Sequence, residues 1–459
     1  WQVIDRTTGE EVPADRWTVD PESGVVTLEG ITPWHVYTAN FLVFLTWDTT
    51  SMYNHIQNQW TTPPIISVDP YHPETREHLM GYFDRWLAEH EQTHVVRLTT
   101  LAFHFCVDSD QNARDRFRDW TGYQDTVSIP ALEAFAQRYG YRLTAEDFVD
   151  EGYYNATYRV PGQRYLDWMA FIQDFPVEFG KALVDKVHAA GKQAAIFWGD
   201  HWIGAEFYHP SFQTLGIDIN IGACEDGVAL RRLADTPGSQ AKEIRLYPYF
   251  FPDVFHEGGD PTRESLDNWM KIRRALLRMP VDRIGYGGYL SLAAKFPDFV
   301  EHVEQLCDEF REIRDRTEGE RSRSLPIKVA VLNSWGGLRA WINYTHPHQK
   351  FLVKRPDVTV IAGSNMLECL SGLPVEVSFL SFDELRDGGV PGDVDVIINA
   401  GTGGTAWSGG AAWADPKVVG PLRAWLSRGG GLVGITDPTG HPHQGRYFQL
   451  EDVLGVQKE

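Results

Sequence analysis

Cysteine is scarce in this chain. Its four residues, Cys106, Cys224, Cys307 and Cys369, show no C-x-x-C spacing, which excludes a zinc ribbon or a disulfide framework and fits a reducing compartment. No apolar run approaches the roughly 18 residues that cross a bilayer, and no charged-then-apolar leader opens the chain, so a membrane is not among the expected partners and the expected location is cytoplasmic. Basic charge is short as well: 42 Lys and Arg against 63 Asp and Glu leave a net charge of −21, and a nucleic-acid partner demands the opposite balance. The best basic patch, Lys271 to Arg278, reads more simply as one face of a helix. Internal repeats and low-complexity tracts are missing, and 42% hydrophobic with 13% aromatic residues exclude general disorder. The chain opens on Trp1 rather than Met and closes at Glu459 after an apolar segment with no helix stop; both ends are expected to be cut.

What is present is length and rings. The 459 residues, with 16 Trp and 18 Tyr, suffice for two or three domains of roughly 150 residues. Turn signals at Thr8-Gly9 and Pro21-Glu22-Ser23-Gly24 predict a small hairpin in residues 1–30. Beyond residue 40 short apolar runs, Phe41 to Trp47, Val95 to Leu101, Ala194 to Trp198, Ile217 to Ile221, Ile244 to Phe251 and Arg283 to Tyr289, alternate with helical periodicity over 74–90, 165–190, 264–279 and 297–316. Strands buried on both faces and separated by helices mean a parallel sheet. Several runs end in polar and aromatic clusters, such as Trp47-Asp48-Thr49-Thr50, Trp198-Gly199-Asp200-His201-Trp202 and Tyr247-Pro248-Tyr249-Phe250-Phe251. A barrel gathers its site from the C-terminal ends of many strands, so a (β/α)8 barrel is expected over 1–324, short of its eight strands and lacking its start. The polar stretch Thr317 to Ser324 is the best linker. After it, runs at Lys328 to Asn333, Val375 to Phe379, Val394 to Asn399 and Gly431 to Ile435, with a helix near 415–428, predict a smaller doubly wound α/β domain over 325–459.

Aromatic platforms beside carboxylates suit carbohydrate, because sugar C–H faces stack on rings while hydroxyls need hydrogen bonds; for any single Trp, packing of the barrel is the competing account. Asp200 stands out, ending a strand, with Trp198 and Trp202 at spacing two on either side of it. To hold a proton near neutral pH it must rise about 2 to 3 units, roughly 3 to 4 kcal/mol, which burial against indoles can supply. An Asp capping the next turn is an equal alternative. Arg97 and Arg245 interrupt apolar strand runs. A charge buried there is costly unless an anion meets it, and phosphate matches a guanidinium fork; on residues alone a structural ion pair with one of the 63 carboxylates stands ahead. His256-Glu257-Gly258-Gly259-Asp260 lacks the second His of a metalloprotease helix and reads as a loop. His346-Pro347-His348 and His441-Pro442-His443 read as surface loops rather than metal sites, and Gly401-Thr402-Gly403-Gly404-Thr405 as a turn.

The segments Trp47-Asp48 to Met52-Tyr53-Asn54-His55, Phe197 to Gly204, Tyr247 to Asp260, Asp282 to Leu292 and Gly445 to Leu450 closely resemble the lacto-N-biose/galacto-N-biose phosphorylases of glycoside hydrolase family 112, and the resemblance runs through the whole chain. It implies a (β/α)8 barrel, then a domain like the trimerisation domain of certain β-galactosidases, and a further all-β region not found here. The implied reaction is phosphorolysis of galactosyl-β1,3-N-acetylhexosamine to α-D-galactose 1-phosphate and free N-acetylhexosamine with inversion. By the same resemblance Asp200 is the proton donor, Arg97 and Arg245 are phosphate ligands, and Asn54, Tyr249 and Phe251 are sugar contacts. Inorganic phosphate is the co-substrate, with no other cofactor and no metal. The family's N-terminal segment, with a further arginine, has no counterpart here. Its members divide among N-acetylglucosamine, N-acetylgalactosamine and rhamnose acceptors; Thr50 and Tyr123 fall where members differ. Competing readings are a β-galactosidase-type hydrolase, which needs a second carboxylate such as Asp48, Glu225 or Asp253, and a non-catalytic sugar-binding barrel. Homo-oligomerisation is left open.

Overall fold

Turn chemistry divides the first forty residues. The strands β1 (Gln2–Asp5), β2 (Glu10–Glu11), β3 (Trp17–Asp20), β4 (Val25–Leu28) and β5 (Tyr37–Asn40) form one antiparallel sheet in the order β2-β1-β5 and a separate β3-β4 ribbon. Each turn signal closes its own hairpin: Asp5 accepts from Thr7 N at 3.0 Å, and Asp20 from Glu22 N at 3.0 Å. The single hairpin expected here is therefore two, with a fifth strand returning along β1.

The computed structural model describes residues 1–40, 69–99, 105–109, 115–119, 128–144, 162–198, 210–236, 238–320, 323–336 and 360–458, together with Gln59, Thr61, Asp147 and Val160. The strand expected at Phe41 to Trp47 lies outside them. The others appear. Helix α1 (Pro73–Glu89) leads into β6 (Val95–Thr99), an antiparallel hairpin of β7 (Phe105–Ser109) and β8 (Asp115–Asp119), and helices α2 (Ile129–Tyr139) and α3 (Gln163–Ala189). Then βα units follow: β9 (Gln193–Trp198), β10 (Ile219–Ala223), α4 (Gly227–Ala234), β11 (Ala241–Arg245), α5 (Pro261–Leu276), β12 (Arg283–Gly285) and α6 (Pro297–Thr317). The strands join in the order β12-β11-β10-β9-β6, every pair parallel. Chain order without reversal is the arrangement of a (β/α)8 barrel rather than of an open doubly wound sheet.

Two expected strands are shortened. The strand begins earlier than expected, at Ala241, and the run Ile244 to Phe251 contributes only Ile244 and Arg245 to its ladder, because Pro248 has no N–H to give and Tyr247 N turns to Asn268 Oδ1 at 3.1 Å. The run Arg283 to Tyr289 stops at Gly285, ahead of Gly288 at φ +110°.

Period-two alternation divides the sheet's faces. Val96, Ala194, Ile196, Ile244 and Leu246 pack into the core beneath the helices, while Ala195, Ile219 and Ile221 cluster on the opposite, inner face with Phe197. The apolar stripe of α3 follows helical spacing, with Trp168, Phe171, Phe175, Phe179, Val184 and Val187 buried. Its second half joins that core. Its first half, with Phe135 of α2, joins a different cluster that includes Val331, Trp335, Leu367, Ile398 and Trp407.

Those last residues belong to a second α/β unit. It comprises β13 (Lys328–Asn333), α7 (Val360–Ser371), β14 (Glu376–Ser381), α8 (Phe382–Gly388), β15 (Val396–Gly401), α9 (Pro416–Ser427) and β16 (Gly431–Thr436), parallel in the order β14-β13-β15-β16. This is the reversal expected of a doubly wound fold. A capping box starts α8, with Ser381 Oγ accepting from Glu384 N at 3.1 Å and the Glu384 carboxylate accepting from Ser381 N at 2.7 Å. The other face of the sheet packs Ala330, Leu332 and Ile397 against Leu385, Leu422 and Trp425. His441 and His443, expected in a loop, lie instead in β17 (Gly440–His443), paired with β18 (Arg446–Phe448). Helix α3 thus packs its first half with the second sheet and its second half in the core of the first.

Candidate active site

The inner face carries charge where its strands end. In the ladder Ile221 faces Glu243 and Ala223 faces Arg245, so Glu243 and Arg245 stand on the side of Ile221. Arg97 pairs with Ala195 and lies over the Phe197 ring at 5.8 Å, placing it on the same face, with the strands β9 and β10 between it and β11. Both arginines proposed from the sequence therefore share a face. The burial argument for them needs correction. Arg97 is exposed, since β6 alternates Val96 inward to the helical core with Val95 and Arg97 on the open side. Arg245 is 21% exposed.

Arg245 is held closely. Its Nη2 lies 2.9 Å from Glu243 Oε1, and its Nη1 donates to the Tyr286 carbonyl at 2.8 Å. The other Glu243 oxygen is 4.0 Å from Arg283 Nη1. Across the ladder from Arg245 is Gly285, and a Cβ there would fall 2.7 Å from Arg245 Nη1. The ion pair weighed at the outset is thus real and comes from the residue two positions earlier on the same strand.

Beyond Arg245 the chain builds an aromatic wall. Tyr247 and Tyr249 stack at 4.8 Å, Tyr249 meets Phe251 edge-on at 5.9 Å, and Phe251 meets Tyr289 at 5.9 Å. Phe250 points the other way, into a cluster with Phe255 and Phe299. Its N–H donates to Gly287 O at 2.8 Å and its carbonyl accepts from Tyr289 N at 3.0 Å. Only glycine fits at 288, because a Cβ there would meet Phe250 N at 2.6 Å. Below the wall, Asn268 of α5 donates to the carbonyls of Cys224 at 3.0 Å and Glu225 at 2.8 Å while accepting from Tyr247 N, tying the ends of β10 and β11 together. Tyr286 shares a 2.5 Å hydrogen bond with Ser265, and burial pushes its phenol up to about 12. Burial likewise raises the Cys224 thiol.

Asp200, Asn54, Thr50, Tyr123 and Asp48 lie outside the described residues, as do His346 and His348. Trp198 ends β9 two positions before Asp200. Of the alternative second carboxylates, Asp253 is exposed and Glu225 half-buried. His256 bonds the Glu257 carbonyl at 2.9 Å in the loop before α5, and Asp260 caps that helix through Arg263 N at 3.0 Å. Among the described residues no three His, Cys, Asp or Glu side chains are grouped to hold a metal, and no helix is long and apolar enough to cross a membrane. Sequence reasoning missed Glu243, Gly285 and Asn268. The signals were there: Glu243 and Arg245 at spacing two on one strand, and Asn268 among the buried residues Ser265, Trp269 and Ile272 of α5.

A cation seated beside an aromatic wall at the C-terminal strand ends can hold an anion against a ring-stacked ligand. The family comparison agrees with the architecture. The lacto-N-biose phosphorylase N-terminal TIM barrel domain matches residues 1–325, and the lacto-N-biose phosphorylase central domain matches residues 328–459. The chain belongs to the lacto-N-biose phosphorylase family. It is 46% identical over 462 aligned residues to a 1,3-beta-galactosyl-N-acetylhexosamine phosphorylase of Bifidobacterium longum, covering 100% of this chain and 61% of that protein. A second phosphorylase of that name, from Lachnoclostridium phytofermentans, is 43% identical over 100% of this chain and 63% of its own length. A D-galactosyl-beta-1->4-L-rhamnose phosphorylase from the same organism is 40% identical over 99% and 63%. The chain spans about three fifths of the length of these curated relatives.

Proposed function

We propose that this protein phosphorolyses galactosyl-β1,3-N-acetylhexosamine, giving α-D-galactose 1-phosphate and free N-acetylhexosamine with inversion. Asp200 protonates the glycosidic oxygen as the bond to the anomeric carbon breaks. Inorganic phosphate, held by Arg97 and Arg245, attacks that carbon from the opposite face. An inverting hydrolase needs a second carboxylate to activate water; phosphate is already anionic and needs none. The bound dianion also disfavours the Asp200 carboxylate, helping it keep the proton it must deliver. Tyr249, Phe251 and Asn54 contact the galactosyl ring, and Thr50 borders the acceptor. No metal or organic cofactor is invoked, and a cytoplasmic enzyme acting on imported disaccharide fits the cysteine usage.

The observation that carries this reading is the seat of Arg245, on the inner face and next in chain to the Tyr247–Tyr249–Phe251 wall, in a chain of this family. The test incubates the protein with galactosyl-β1,3-N-acetylglucosamine with and without phosphate. Galactose 1-phosphate formed only with phosphate supports the reading; free galactose in plain buffer would favour the hydrolase, and binding without turnover the sugar-binding barrel. Resemblance to the rhamnose-named relative favours a second reading, with L-rhamnose as acceptor. Running the reaction in reverse from galactose 1-phosphate, with N-acetylglucosamine, N-acetylgalactosamine or L-rhamnose offered separately, distinguishes the acceptors.

A further inference from the structure

We infer that Glu243 and Gly285 together form a seat that aims the Arg245 guanidinium, so that the phosphate site depends on two residues that need not touch phosphate themselves. The inference rests on Arg245 being a phosphate ligand, as proposed above, and names what sets its direction.

An arginine side chain has several rotatable bonds, and each costs ordering entropy when an anion must fix it. Here that ordering is done in advance. Glu243 holds Nη2 at 2.9 Å from the side, and the Tyr286 carbonyl takes a hydrogen bond from Nη1 at 2.8 Å. The missing side chain at Gly285 leaves the space Nη1 occupies, since a Cβ there would lie 2.7 Å from it. All three anchors come from the adjoining strands β11 and β12 or the residue just after β12. A guanidinium carries five N–H donors, and these anchors hold it by its two terminal nitrogens.

Two effects of Glu243 oppose each other. Its charge weakens the field that Arg245 presents to phosphate, while its oxygen fixes the guanidinium. If the charge dominated, any neutral substitution would tighten phosphate binding. If the seat dominates, Glu243→Ala weakens binding, whereas Glu243→Gln, which keeps an acceptor oxygen of the same reach, restores it. Gly285→Ala tests the same seat from the other strand and leaves every charge in place.

The experiment is calorimetric titration of inorganic phosphate at constant ionic strength into the wild-type protein and the variants Glu243→Ala, Glu243→Gln, Gly285→Ala and Arg245→Ala. Disaccharide affinity and thermal melting are measured in parallel. The seat is supported if Glu243→Ala and Gly285→Ala each weaken phosphate about tenfold with disaccharide affinity unchanged, and Glu243→Gln stays close to wild type. It is overturned if Arg245→Ala loses phosphate while Glu243→Ala and Gly285→Ala do not, or if Glu243→Ala binds phosphate more tightly. Should Arg245→Ala bind phosphate like the wild type, the assignment of Arg245 itself fails, which is a separate result. Should Glu243→Ala melt early, Gly285→Ala and Glu243→Gln decide the matter, since both keep the strand's polar pattern.

Discussion

Asn268 offers the sharpest test of how the barrel holds its loops. The residue is 5% exposed, and its side chain makes three hydrogen bonds, to Cys224 O, Glu225 O and Tyr247 N. Asn268→Ala leaves two carbonyls and one N–H without that partner. Each unsatisfied buried group costs about 1 to 3 kcal/mol, and because the three are neighbours their costs do not simply add. A loss of about 3 kcal/mol is expected. Urea denaturation followed by circular dichroism reads it as a lower midpoint with an unchanged slope. Asn268→Asp sharpens the argument, because it keeps the acceptor for Tyr247 N but turns a carboxylate toward two carbonyl oxygens. Those oxygens favour the protonated form, so the folded-state pKa of the new carboxyl rises above its unfolded value near ~3.9. The folded state then holds its proton where the unfolded chain has lost it. Stability relative to wild type is best below that unfolded pKa and falls as pH rises toward the raised folded value. A loss under about 0.5 kcal/mol for Asn268→Ala, or an Asn268→Asp penalty that does not grow with pH, would refute the reasoning.

Three other outcomes are expected, the first from the proposed role of Asp200 and the other two from the described geometry. Asp200→Asn is expected to abolish phosphorolysis while disaccharide still binds; turnover retained in a rate assay would remove Asp200 as the acid. Gly288→Ala forces a side chain into φ +110° and against the Phe250 backbone, so stability should fall by about 1 to 3 kcal/mol and disaccharide affinity with it, and a variant as stable as wild type would show that the bridge between the two loops is dispensable. Iodoacetamide mapped by mass spectrometry should label exposed Cys369 in the native protein and reach buried Cys224 only on unfolding, because burial raises that thiol; rapid native labelling of Cys224 would contradict its placement under the sheet.

Much of the architecture was legible because it rests on periodicity. Runs read as buried on both faces became β6, β9, β10, β11 and β12, in chain order, whereas the helix expected from residue 264 begins three residues earlier, at Pro261. Strand ends were less legible, since alternation outlives the hydrogen-bonded ladder. Tyr247, Tyr249 and Phe251 still point to one side and Phe250 to the other, so the pattern continues after the continuous ladder ends at Arg245, with a single bridge from Phe250 to Gly288 beyond it. The hairpin of β7 and β8 was missed because it interrupts the βα rhythm from which the sheet was read. The packing of α3 on the second sheet was invisible for a different reason. Trp168 and Phe171 read as the ordinary apolar stripe of α3, and nothing local says that their partners are Val331, Leu367 and Trp407, more than 150 residues away.

The candidate site divides along the same line. Arg245 drew notice because a charge in an apolar strand is costly, and that reasoning asked only which anion would meet it. Posed as an exclusive choice, a structural carboxylate or a phosphate, the question conceals the arrangement found. A guanidinium with five donors can give some to Glu243 and the Tyr286 carbonyl and still face an anion. On the proposed phosphate role of Arg245, the structural partner serves the site by fixing the direction of the guanidinium. The same holds for Asn268, whose buried amide would count as a defect in a helix stripe if the strand ends above it needed no fastening. Polar residues that break a burial pattern are informative in pairs: one supplies the chemistry, and the other, two positions away on the strand or on the helix beneath, supplies its aim.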